Sequence, residues 1–109
     1  MTVKELSEQS GFAPLTLPSP EREINGVYIG DLLSWVMGRA SENNAWITIM
    51  SNTNVIAVAT LTDVCCVILA EGVTPDADVL ATATTKGINV IKADASAYET
   101  ARTLWSLGL

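Results

Sequence analysis

Asn52-Thr53-Asn54-Val55-Ile56-Ala57-Val58-Ala59-Thr60-Leu61-Thr62 lies between two stretches that read as strands, Ala45–Met50 and Val64–Leu69, and its conformation decides the fold. The β-branched run Val55-Ile56-Ala57-Val58-Ala59 suits a strand that would close a hairpin on residues 45–50 through a polar turn at 51–54. A helix over 53–62, capped by a Ser or Asn, fits the same residues. Being apolar nearly all round, it would have to be covered on both sides. The two readings lead to different architectures, because a two-residue turn joins antiparallel strands whereas parallel strands need a crossover of a dozen or more residues. Taken alone, the residues favour neither.

Working toward the C-terminus, Val64-Cys65-Cys66-Val67-Ile68-Leu69 is a continuous apolar run, the mark of a central strand buried on both faces. Thr74-Pro75-Asp76-Ala77-Asp78 reads as a helix start, with Thr74 as cap, proline in the first turn and carboxylates at the positive helix end. Val79, Leu80 and Ala83 supply its buried face, and Gly87 ends it. Asn89–Lys92 reads as a short strand. Ser96 and Glu99 form a capping-box pattern for a last helix with an Ala97, Tyr98, Ala101, Leu104 and Trp105 stripe.

Toward the N-terminus, Ile24–Ile29 reads as a strand and Asp31 as the cap of a helix whose stripe is Leu32, Leu33, Val36, Met37 and Ala40. Trp35 falls off that stripe, so it faces either a neighbouring subunit or solvent. Residues 2–10 read as a short helix opened by Thr2 and Glu5 and stopped at Gly11. Pro14, Pro18 and Pro20 then allow only an edge strand or an extended connector, which could act as a hinge. The chain thus divides into an N-terminal helix with a proline-rich connector (1–23) and an α/β domain (24–109).

At 109 residues there is room for one core. The apolar fraction is 49% against 17% charged, and so few charges on a small domain imply that some apolar surface meets another chain. The six basic residues are scattered and the net charge is −6, which argues against a nucleic-acid partner and against a polybasic lipid anchor. No stretch reaches the length of a membrane span, and Met1–Leu6 lacks the pattern of a secretory leader. Cys65 and Cys66 are adjacent, and neighbours on a strand point to opposite faces, so a mutual disulfide is not expected. Two reduced, buried thiols suit the cytoplasm.

Catalytic groupings are scarce. Without histidine no Ser–His arrangement can be built. The cysteines lack C-x-x-C spacing, and no glycine-rich phosphate loop of known pattern occurs. Asp76/Asp78 and Glu21/Glu23 read as helix-start charges and a solvated connector. No catalytic residue, metal site or cofactor is expected. In open α/β sheets ligands settle outside the C-terminal strand ends, which points to the loops 51–54, 70–74 and 93–96. The first offers hydroxyls, amides and backbone N–H groups suited to an anion, whereas Glu71 and Asp94 from the other two would repel a phosphate.

The order of features from about residue 24 onward resembles a DRTGG domain, the small α/β module of phosphotransacetylases and of some CBS-domain pyrophosphatases. It is also similar to the N-terminal domain of HPr kinase/phosphorylase and, more remotely, to the uridine-nucleotide domain of Mur ligases. The resemblance is carried by Val27-Tyr28-Ile29-Gly30-Asp31, by Ile47-Thr48-Ile49 entering a polar loop, and by Val67–Asp76 leading to Gly87–Ile91 and Ala97–Ala101. It implies a helix at 53–62 and a single three-layer α/β domain: a mostly parallel sheet of four to five strands with helices on both faces. The loops that give the family its name read differently here, Asn52-Thr53 in place of Asp-Arg and Ala70-Glu71-Gly72 in place of Thr-Gly-Gly, so only Gly72 is kept.

The resemblance implies a regulatory or protein-interaction module that does not catalyse, and the residues add a homodimer with an interface at Trp35, Val55, Val58 and Leu61. The alternative is a small-molecule sensor holding a nucleotide or other anion at Ser51, Asn52, Thr53, Asn54 and Gly72.

Overall fold

The computed structural model describes all 109 residues. In chain order its elements are α1 (Val3–Ser7), β1 (Phe12–Thr16), β2 (Val27–Ile29), α2 (Leu33–Arg39), β3 (Ala45–Thr48), α3 (Thr53–Thr62), β4 (Cys66–Leu69), α4 (Ala77–Lys86), β5 (Val90–Ala93) and α5 (Ala97–Ser106). The ambiguous segment is therefore a helix, and the hairpin does not form. Asn52 caps it from an extended conformation, its side-chain oxygen accepting from the Asn54 N–H at 3.0 Å. Thr60 and Thr62 donate their hydroxyls back to the carbonyls of Ile56 and Val58, and Asp63 ends the helix at φ 57°. β-branched residues cost at most about 0.7 kcal/mol each in a helix. Val55, Ile56 and Val58 are all buried, and burial is worth about 1.5–3 kcal/mol per such side chain, so packing overrides propensity.

One five-stranded sheet results, in the order β1-β5-β4-β3-β2. β2, β3, β4 and β5 run parallel, and β1 joins β5 antiparallel at one edge. Crossovers of one hand between strands laid down in sequence order put α2, α3 and α4 on the same face. Side-chain alternation along the strands then builds two cores. Trp46, Val67, Leu69 and Val90 point toward α2–α4, where Val36, Val55, Val58 and Val79 meet them. Ala45, Ile47, Ile68 and Ile91 point the other way, toward Val3 and Leu6 of α1 and Leu104 of α5.

The proline-rich segment is part of this sheet rather than a hinge. β1 pairs with β5 through Phe12–Ala93, Ala13–Lys92 and Pro14–Ile91. Beyond β1, the buried Asn89 clamps the chain. Its amide donates to the carbonyls of Ser19 (2.7 Å) and Cys65 (2.8 Å) and its oxygen accepts from the Ser19 N–H (2.9 Å). Arg22 does the same at the amino end of the sheet, donating to Asp63 and Asn43 side chains and to the carbonyls of Asp63 and Val64 at 2.6–3.0 Å. Asn43 and Asp63 both hold positive φ, so this guanidinium fastens two turns that side chains rarely adopt unaided.

Several local expectations are corrected. Asp31 does not cap α2, which begins after Leu32 without a side-chain cap. Its carboxylate instead accepts from the Thr48 hydroxyl (2.8 Å) and the Ile49 N–H (3.0 Å), tying the β2–α2 loop to the end of β3. α4 starts after Asp76, not Thr74. α1 ends at Ser7, with its capping box of Thr2 and Glu5 intact. Ser96 accepts from the Glu99 N–H, but the Glu99 carboxylate turns to Arg102. Cys65 lies just before β4 and escapes strand alternation, so both thiols sit in the same core with sulfurs 3.9 Å apart. They remain free, and the hydrogen bond with the Cys65 thiol, together with burial, pushes the Cys66 thiol well above the ordinary thiol range.

Candidate functional site

Two regions of the surface form open clefts: the carboxyl end of the parallel strands and the outer side of β2. At the carboxyl end, the β3–α3 turn leaves the N–H groups of Ser51, Asn52 and Thr53 without acceptors in the chain, as expected at the start of a helix. These residues line a cleft of about 280 Å³ together with Thr74, Asp76 and Asp78 from the approach to α4. Because α4 begins late, the carboxylates of Asp76 and Asp78 line the same cleft as the amides at the start of α3. An anion entering here would gain hydrogen bonds and meet two negative charges, whereas a group carrying both hydroxyl donors and acceptors fits both sides.

Ser51, Asn52 and Thr53 thus come together as the sequence suggests, and Asn54 and Gly72 do not join them. The Asn54 N–H is taken by its own cap. Gly72 lies in the β4–α4 loop at φ 69°, next to Glu71 at φ 61°. Their N–H groups donate to the carbonyls of Ala93 and Ala95 at 2.9 and 2.8 Å, so this left-handed pair sews the second loop to the third. Gly72 serves the backbone turn. Glu71 and Asp94 are absent from the cleft lining; the acids that face Ser51–Thr53 are Asp76 and Asp78, which sequence reading assigned to the helix dipole alone.

The expected interface residues separate in the same way. Val55 and Val58 are buried against the sheet and the neighbouring helices, so they present nothing to a second chain. Leu61 is exposed on the outer side of α3, beside Lys86 and Thr82 of α4. Trp35 is exposed with the Arg39 guanidinium stacked 3.8 Å from its ring centre.

The surface that sequence reading missed is at β2. Tyr98 and Trp105, placed on the buried stripe of α5, are the two most exposed aromatics of the chain, ahead of Trp35. They line a groove of about 510 Å³ with Val27 and Ile29 of β2 and with Arg102 and Leu109. α5 lies over β2 and β3, so its stripe extends past the last strand. Leu104 is covered by the sheet while Tyr98 and Trp105 overhang it. The periodicity that marks a helix face as apolar carries no information about where the sheet beneath it ends.

A family model for the DRTGG domain matches residues 19–107. No curated protein matches the chain. Among solved structures, the chain is similar to the CBS and DRTGG domains of the regulatory region of Clostridium perfringens pyrophosphatase, complexed with the activator diadenosine tetraphosphate. The TM-score is 0.66 at 16% sequence identity, over 84% of this chain and 40% of that one. The chain therefore spans about two fifths of that structure's length, and at this identity the likeness is one of fold. No helix is long and apolar enough to cross a membrane.

Proposed function

From the premise that this chain belongs to the DRTGG domain family, whose members are regulatory modules, we propose that it acts without catalysis, as a self-associating interaction module of the cytoplasm. The observation that carries this reading is the distribution of exposed apolar side chains. Of the eight large ones, Leu61 stands alone on α3 and Ile49 follows β3, while the other six belong to β2, α2 and α5. The polar side chains that make several hydrogen bonds (Arg22, Asn89, Asp31) spend them on fastening loops. Concentrated apolar surface rimmed by polar groups marks an interaction face. The two buried reduced thiols support the compartment. Sedimentation at low micromolar concentration tests the module: a dimer is expected, and a clean monomer removes the reading.

A second reading, a small-molecule sensor, is favoured by the free amides at Ser51–Thr53 and by the nucleotide activator in the related pyrophosphatase region. The ligand class is a nucleoside-bearing molecule presenting hydroxyls to Asp76 and Asp78. Calorimetry with adenine and uridine nucleotides and with diadenosine tetraphosphate tests it. Micromolar binding that is lost in Asn52→Ala supports the sensor, and no heat with any of them rejects it.

A further inference from the structure

We propose that the open edge of the sheet at β2, with the overhanging aromatics of α5 and the outer face of α2, is the seat of a second copy of this chain. The proposal rests on the reading of the chain as a self-associating module and moves the interface away from α3.

The edge itself is unpaired. Gly30 N–H donates to Ile47 and the Gly26 carbonyl accepts from Ala45, so by the alternation of a strand the N–H and C=O groups of Val27 and Ile29 point outward. Both faces of this edge carry exposed apolar side chains. Trp105 is 79% and Tyr98 69% exposed, and on the other face Leu32 and Trp35 are 61% and 54% exposed. Aromatic side chains cover about 150–250 Å² each when buried, so Trp35, Tyr98 and Trp105, 54–79% exposed, offer roughly 400 Å² around one edge, and Leu32 and Ile29 add to it. That matches the apolar share, somewhat over half, of the ~800 Å² that each partner contributes to a stable dimer. An α3 interface built on Leu61 alone would fall far short.

Charge selects the same place. A chain of net charge −6 repels its own copy, and two of the six basic residues stand in this region, each on an exposed aromatic ring. Arg39 lies 3.8 Å from the centre of Trp35, and Arg102 5.8 Å from that of Tyr98. In a two-fold arrangement the same patch meets itself. Arg102, paired with Glu99 of its own helix at 3.2 Å, can then pair with Glu99 of the second copy.

Sedimentation velocity of the full chain tests the assignment, comparing the natural sequence with Tyr98→Ser/Trp105→Ser and with Leu61→Ser as a control. The expected result is a dimer for the natural chain and for Leu61→Ser, with the dissociation constant raised at least a hundredfold for the double variant, whose circular dichroism stays that of the folded chain. Should the double variant fail to fold, Ile29→Lys leaves α5 intact and must also give a folded monomer. A natural chain that is monomeric throughout overturns the self-associating module itself. A dimer that survives both the double variant and Ile29→Lys leaves that module standing and overturns only the β2 seat, and loss of the dimer in Leu61→Ser returns it to α3.

Discussion

At one edge of the sheet, β1 carries Pro14, pairs antiparallel with β5, and runs into a segment held by Asn89 and Arg22. α1 tucks Val3 and Leu6 beneath it, and the Thr16 and Thr84 hydroxyls meet at 2.6 Å on its other side. At the opposite edge, β2 is three residues long and its flanking helices present tryptophans and a tyrosine to solvent. Proline and covering elements are the ordinary means of blunting an exposed strand. One edge has them and the other is blunted only by its shortness. The contrast teaches that the N-terminal segment completes the sheet at one edge, while the β2 edge stays open, as the proposed dimer requires.

The strongest way to break this comparison is Val58→Asp. If α3 were the interface, the substitution would give a folded monomer. Because Val58 is buried in the core beneath α3, an unpaired carboxylate there is expected to cost more than about 4 kcal/mol and to unfold the chain, read by circular dichroism and urea titration. Next comes Asn89→Ala, which strips partners from the Ser19 N–H and from the carbonyls of Ser19 and Cys65. Each unmet buried group costs about 1–3 kcal/mol. A loss of about 3 kcal/mol, roughly 15 °C in melting temperature, is expected, with the dimer unaffected where the protein is still folded. A small effect would mean that the β1 side is not fastened as described.

Smaller still is Thr2→Ala, which removes the α1 cap and should cost about 1 kcal/mol. The hydrogen bond from the Thr2 N–H holds the Glu5 carboxyl below its ordinary value. A depressed carboxylate adds stability that is fully present above the ordinary glutamate range and is lost as pH falls through the lowered value. Acid titration of Glu5→Gln should therefore lack the part of the acid destabilisation that the natural chain shows in that interval. An unchanged acid limb would remove Glu5 from the cap.

The strands and the two capped helix starts at Thr2 and Ser96 were legible in the sequence because they are local: apolar runs, and a hydroxyl three residues before a glutamate. The α3 segment was not legible locally, since its β-branched residues suit either state and only cover from α2, α4 and the sheet decides. Asp31 and Thr74 looked like caps by position, and tertiary contacts redirected the first to Thr48 while the second helix began later. Arg22 and Asn89 left no trace in any pattern, as their partners lie up to 70 residues away. At the candidate cleft, Ser51–Thr53 were foreseen and the opposing Asp76 and Asp78 were not, because their closeness depends on where α4 starts. Tyr98 and Trp105 read as core for the same reason that Leu104 does; only the width of the sheet separates them.

Amide hydrogen exchange measured at low micromolar and at high protein concentration puts the two edges side by side in one experiment. If β2 receives the second copy, the outward amides of Val27 and Ile29 slow markedly as concentration rises, while those of Phe12–Thr16 keep their rates. Equal rates for Val27 and Ile29 at every concentration, or a concentration-dependent slowing confined to α1 and β1, would contradict the account.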